Sequence, residues 1–163
     1  MSRFRPERWT TVLALGTLAW LTASPSAAQT GSLAPDREQL VGYIRVIQGD
    51  TLDARNARGR VGIGILGVKA PNGNTPCGKE ATAFTEELVS DGVELYEEPG
   101  LVLDARMRRM YNIVTLDGRS VAEELVTAGL ARADGQGANH DRLAELEAAA
   151  REQKRGCLWS SGG

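Results

Sequence analysis

The chain has 163 residues, 42% of them hydrophobic and 25% charged, with a formal net charge of −2. These values suit a single globular domain, and the chain is too short for two comfortable ones. The acidic balance also argues against tight non-specific binding to nucleic acid, which a basic surface would favour.

In chain order, Arg3, Arg5 and Arg8 precede the apolar run "TTVLALGTLAWLTA", which ends at the small residues Ser26-Ala27-Ala28. This pattern predicts a signal peptide over 1–28, cleaved after Ala28, and a secreted or periplasmic protein. A membrane anchor is the alternative, but a spanning helix needs roughly 20 apolar residues and this run is shorter. No later stretch is apolar enough to be an anchor. Cleavage leaves 135 residues starting at Gln29, enough for one core. The leader carries three Arg and one Glu, so the remainder carries −4. In an oxidising compartment an even cysteine count favours a Cys77–Cys157 disulfide. A metal site would need more ligands than these two and the single histidine, His140.

A flexible lead-in is expected over 29–38, most of it in "TGSLAPDREQ", followed by a domain over 39–160. Three strands are expected in "LVGYIRVIQGDTLDARNARGRVGIGILGV", separated by Gly-Asp and Arg-Gly turn signals. Helical spacing of Ala81, Phe84, Leu88 and Val89 predicts a first helix in "CGKEATAFTEELVSDG". "VELYEE" and "MYNIVTLDGR" supply two more strands, the second turning at Asp117-Gly118. A capping box, Ser120 with Glu123, opens a helix in "VAEELVTAGLA". After the Gly-rich loop 133–140, Asn139 can cap a third helix lined by Leu143, Leu146 and Ala150. Five strands and three helices predict an α+β chain, mainly β, built as a five-stranded Greek-key barrel.

The third strand is unusual: Val61, Ile63 and Ile65 make one face apolar, while Gly62 and Gly64 leave the other bare. Glycine weakens a strand, so a bare face marks a close approach or a missing side chain.

Six short motifs occur in order: "VIQGDT", "ILGVKAPN", "CGKEATAF", "DARMRR", "VAEELVTAGLA" and a final "LWS". With them the chain resembles the staphylococcal nuclease (thermonuclease) family over about residues 41–160. The resemblance implies an OB-fold barrel and calcium-dependent hydrolysis of DNA or RNA, with two aspartates and a carbonyl on calcium, a glutamate on the attacking water and two arginines on the phosphate. Hard cations take oxygen ligands, and a phosphoryl transition state is stabilised by fixed positive charge. By resemblance, Asp50 matches the first metal aspartate and Arg108 the second arginine. The first arginine falls on Gly64, the second aspartate on Lys69 and the glutamate on Asn72. The family's tyrosine before Gly-Arg falls on Arg106, and its aromatic loop is here "DGQGA", so base-stacking partners are missing.

The bare face is thus expected to be the former active-site face, with the centre degenerate and the protein acting as a binding module. Lys69 in place of a ligand argues against calcium and suggests an ion pair with Asp50 across the pocket. Asn72 can orient water but takes no proton from it. Arg106, Arg108 and Arg109 are either a solvated trio or an anion site. The alternative function is a working metal-dependent endonuclease rebuilt around Asp50, the arginines, and Asp53 or Asp104. Nucleic-acid binding is expected to be weak; a third reading is a protein-interaction or envelope component, for which the sequence does not choose a partner. Asp50 also suits a local turn role, Glu123 a capping role, His140 and the arginines a surface role, Trp159 a core or interface role, and Tyr43, Tyr96 and Tyr111 core packing.

Overall fold

The computed structural model describes residues 37–40, 44–56 and 59–160; the expected signal peptide, its cleavage point and Tyr43 lie outside them. Eight strands and four helices follow in the order β1 (Arg37–Leu40), β2 (Ile44–Gln48), β3 (Thr51–Asn56), β4 (Gly59–Ile65), β5 (Val68–Lys69), α1 (Pro76–Leu88), β6 (Val93–Tyr96), β7 (Arg109–Thr115), α2 (Val121–Thr127), β8 (Arg132–Ala133), α3 (His140–Glu152) and α4 (Gly156–Trp159). The fold is α+β, as expected. Six strands form one sheet in the order β1-β6-β7-β4-β3-β2, and β5 pairs with β8 in a separate ribbon. Among the described strands only β4 and β7 run parallel.

Three expectations are corrected. The sheet is open rather than a closed five-stranded barrel: β1 and β2 are its outer strands. Arg37 and Glu38, expected in a flexible lead-in, lie in β1 and pair with Tyr96 and Leu95. The third strand does not run through Val68. It stops at Ile65, and Gly67, at φ +83, redirects the chain into β5. A Cβ on Gly67 would meet Leu143 Cδ1 at 2.6 Å, so packing against α3 as well as backbone angle requires glycine there.

Alternation places Leu52, Ala54, Ile63, Ile65, Leu95, Tyr111 and Ile113 in the core. The helices pack on it through Ala81 and Leu88 of α1, Val121, Leu125 and Val126 of α2, and Leu143 of α3. Thr75 caps α1, its Oγ1 accepting from Gly78 N at 3.0 Å, with Pro76 in the first turn. Ser120 caps α2 by accepting from Glu123 N, as its motif predicts. Asn139 stands at the N-cap of α3 but makes no side-chain cap bond. The second and third expected helices both end early. Gly129 (φ +70) and Gly156 (φ +60) face one another, and a Cβ on Gly129 would overlap Arg155 O at 2.1 Å. The expected disulfide is present: Cys77 of α1 is bonded to Cys157 of α4 across 80 residues.

Gly49 brings α1 against the turn that carries Asp50, and Gly78 brings it against the loop at Asn72. A Cβ on Gly49 would lie 2.7 Å from Ala81 Cβ, and one on Gly78 would lie 1.9 Å from Asn72 O. Buried Thr85 is within hydrogen-bond distance of Gly49 O (2.8 Å) and Ala81 O (2.9 Å), tying the helix to that turn.

Candidate functional site

Asp50 sits in the tight turn between β2 and β3. Its Oδ2 accepts from Ala70 N at 3.1 Å and its Oδ1 from Thr51 Oγ1 at 3.0 Å. Arg108 Nη1 in turn donates to Thr51 Oγ1 at 2.5 Å. A polar chain therefore runs from Arg108 through Thr51 to Asp50, joining the two residues that the resemblance points to. The sequence motifs contain Thr51 but give no hint of this bridging role.

Arg108 is held from its other side by Asp104. Its Nε and Nη2 each lie 2.8 Å from Asp104 Oδ2, while Asp104 Oδ1 accepts from the backbone N–H groups of Arg106 (2.9 Å) and Arg108 (2.8 Å). Partial burial would raise the Asp104 pKa, but these backbone and guanidinium bonds outweigh it and hold the carboxyl below the ordinary carboxylate value. Two guanidinium protons of Arg108 remain beyond those bonded to Asp104 and Thr51. The loop closes through Met107, a non-glycine residue at φ +61.

Arg109 turns instead to Glu97, 2.5 Å away, and Arg106 is exposed. The three arginines therefore do not converge on one point.

The face of β4 beside this centre is occupied. Gly64 pairs with Thr51 on one side and Met110 on the other. A Cβ built on it would meet Met110 Sδ at 2.4 Å and Cε at 2.9 Å, so the thioether fills the space over the glycine. Gly62, by contrast, is exposed with nothing within 4 Å of such a Cβ.

The expected Lys69–Asp50 ion pair is not formed, and this is a correction. Among the described residues the salt bridges include none to Lys69; it is exposed on β5, opposite Arg132 of β8. Asp50 instead satisfies both carboxylate oxygens locally, through Ala70 N and Thr51. Asn72 likewise has a local role: its Oδ1 accepts from Asn74 N at 2.9 Å and its carbonyl from Thr75 Oγ1 at 2.7 Å, shaping the entry to α1.

Among the described residues no three His, Cys, Asp or Glu side chains gather as ligands for one ion. With Asp50 engaged and an ammonium at the second aspartate's position, these side chains do not fit calcium.

The remaining singled-out residues have structural places. His140 Nδ1 lies 2.8 Å from Gly137 O on the surface. Tyr111 is buried in the core, and Tyr96 bonds Glu94 at 2.6 Å. Glu123 lies 3.7 Å from Arg142 of α3. The guanidiniums of Arg132 (4.9 Å) and Arg151 (4.5 Å) both lie over the Trp159 ring.

The family model described as "Staphylococcal nuclease homologue" matches residues 62–161. The chain belongs to the staphylococcal nuclease family. Two curated relatives, each named "Uncharacterized endonuclease", one from Escherichia coli O157:H7 and one from Escherichia coli, are 30% identical over 120 residues, covering 72% of this chain and 74% of theirs. Within the fold, the Asp50 turn and the Arg108 loop are tied together through Thr51, while Gly64 is covered by Met110, Lys69 is exposed and Asn72 shapes the entry to α1.

Proposed function

We propose that this protein is an extracytoplasmic member of the staphylococcal nuclease family, on a divergent OB-type fold, whose hydrolytic centre is degenerate and which acts by binding nucleic acid. The observation that carries the reading is at Gly64. Where the family has a phosphate-binding arginine, this strand has no side chain, and Met110 fills the space. Without that arginine and the second metal carboxylate, the charge that develops on a transferring phosphoryl group loses its main stabilisers. Arg108 keeps the capacity to hold a phosphate through its free guanidinium protons.

The names of the relatives favour a second reading, a working endonuclease with an altered centre. It would need Asp53 or Asp104 as a new base or metal ligand, yet each is already bonded to an arginine, Arg60 and Arg108. A carboxylate whose proton affinity is lowered in this way is a poor general base.

Hydrolysis of an end-labelled single-stranded oligonucleotide by the oxidised protein, with and without millimolar calcium, separates the two readings. Intact oligonucleotide under both conditions is expected. Calcium-dependent cleavage that disappears in Arg108→Ala would establish the endonuclease instead.

A further inference from the structure

Away from the Asp50–Arg108 centre, the outward face of β2, β3 and β4 carries a second concentration of charge. Thr51, Asp53 and Arg55 occupy alternate positions of β3 and share one face. Across the ladders Arg45 and Gly62 both pair with Asp53, and Arg60 pairs with Arg55. Arg45, Asp53, Ala54, Arg55 and Arg60 line a recess of about 420 Å³.

Three guanidiniums thus surround one carboxylate. Asp53 is 8% exposed and bonded by Arg60 Nε, with a second contact from Nη2. The Arg60 hydrogen bond, with the nearby charges of Arg60 and Arg45, outweighs burial and holds its carboxyl below the ordinary value. Among the described residues no salt bridge joins a carboxylate to Arg45 or Arg55. The recess therefore carries two positive charges in excess, on a chain that is acidic overall.

The geometry also leaves room for an extended ligand. Exposed Gly62, with nothing within 4 Å of a built Cβ, floors the strip beside Asp53. The next row along the same face is Thr51–Gly64–Met110, where Arg108 is anchored. Successive rows on one face are about 6.7 Å apart along a strand. Cationic groups therefore recur along β3 at steps suited to a polymer with regularly spaced anions.

We propose that the Arg45–Arg55–Arg60 recess is a second phosphate-binding site, which together with Arg108 holds the backbone of a single-stranded nucleic acid along this sheet face. Guanidinium forks match phosphate oxygens in pairs, and a line of sites along one strand suits a single backbone better than a duplex. The inference rests on the reading of the domain as a nucleic-acid binder. The competing explanation is that the arginines only protect the open edge at β2 from pairing with other chains.

The test is fluorescence anisotropy of a labelled oligothymidylate titrated with the oxidised protein over a range of salt concentrations. The variants are Arg45→Ala/Arg55→Ala, Arg45→Lys/Arg55→Lys and Arg108→Ala, each checked for fold by circular dichroism. Losing two phosphate contacts in the double alanine variant should flatten the slope of log affinity against log salt by about 1.4, about 0.7 per contact. Affinity at low salt should fall on the order of tenfold, and the double lysine variant should keep most of the slope. If the double alanine variant matches the wild type while Arg108→Ala loses binding, the recess is not a site, although the domain is a nucleic-acid binder. If the wild type does not bind at all, both readings fail. Arginine-dependent capture of phosphatidylserine vesicles without oligonucleotide binding would overturn the choice of nucleic acid.

Discussion

A glycine can mark an absent side chain, a close approach or a backbone angle, and positions 64, 78 and 107 separate these cases. At Gly64 the obstacle to a Cβ is the far end of flexible Met110, so Gly64→Ala should change unfolding free energy by less than about 1 kcal/mol. At Gly78 the obstacle is the Asn72 carbonyl at 1.9 Å, and Gly78→Ala should cost about 2 kcal/mol or more through displacement of α1. Met107 shows the converse, a side chain on a left-handed backbone and 73% exposed. Met107→Gly should stabilise by up to about 1 kcal/mol, since little packing is lost and the strain is released. Urea denaturation of the three variants checks all three values. Asp50, Arg108, Gly64, Lys69 and Asn72 were singled out through the resemblance of their motifs to the family pattern. Met110 over Gly64 and Thr51 between Arg108 and Asp50 were not, because neighbours across strands depend on register that the linear pattern does not carry.

Among the elements, the helix starts were the most legible, since capping chemistry is local. Ser120→Ala should cost about 1 kcal/mol by removing the α2 cap. Thr75 was missed because Cys77 drew the start of α1 one residue late. The strand ends were less legible. An unbroken apolar run through Leu66 and Val68 concealed the turn at Gly67, and a closed barrel was expected because alternation reveals faces rather than edges. The disulfide joins two helices that sequence places far apart, and its loop of 80 residues makes it the largest single constraint on the unfolded chain. Reduction, or Cys77→Ala with Cys157→Ala, should lower stability by about 4 kcal/mol in the chain-entropy model, measured by urea midpoints with and without reductant.

At the scale of the molecule, charge is unevenly placed on an acidic protein, and Arg60, Arg108, Arg109 and Arg119 are steadied by carboxylates. Asp53, Asp104 and Asp117 all titrate below the usual carboxylate value, chiefly through arginine, backbone and threonine hydrogen bonds that outweigh burial. Their folded forms hold protons less tightly than the unfolded chain. Their contribution to stability is therefore present above pH about 3.9 and is lost as pH falls through the lower folded values. Urea unfolding should show little change from these groups between pH 7 and 5, and a steep loss below about 4. The arginine recess on the sheet face escaped the sequence reading because Arg45, Arg55 and Arg60 are dispersed in the chain and only the β2–β3–β4 register gathers them.

The central claim, that this centre binds what its family cuts, is tested most directly in one tube. A labelled single-stranded oligonucleotide is mixed with the oxidised protein at low salt with millimolar calcium, its anisotropy is recorded, and its length is then read on a denaturing gel. Raised anisotropy with full-length oligonucleotide is the expected result. Shortened oligonucleotide, dependent on calcium and absent with Arg108→Ala, would contradict the account.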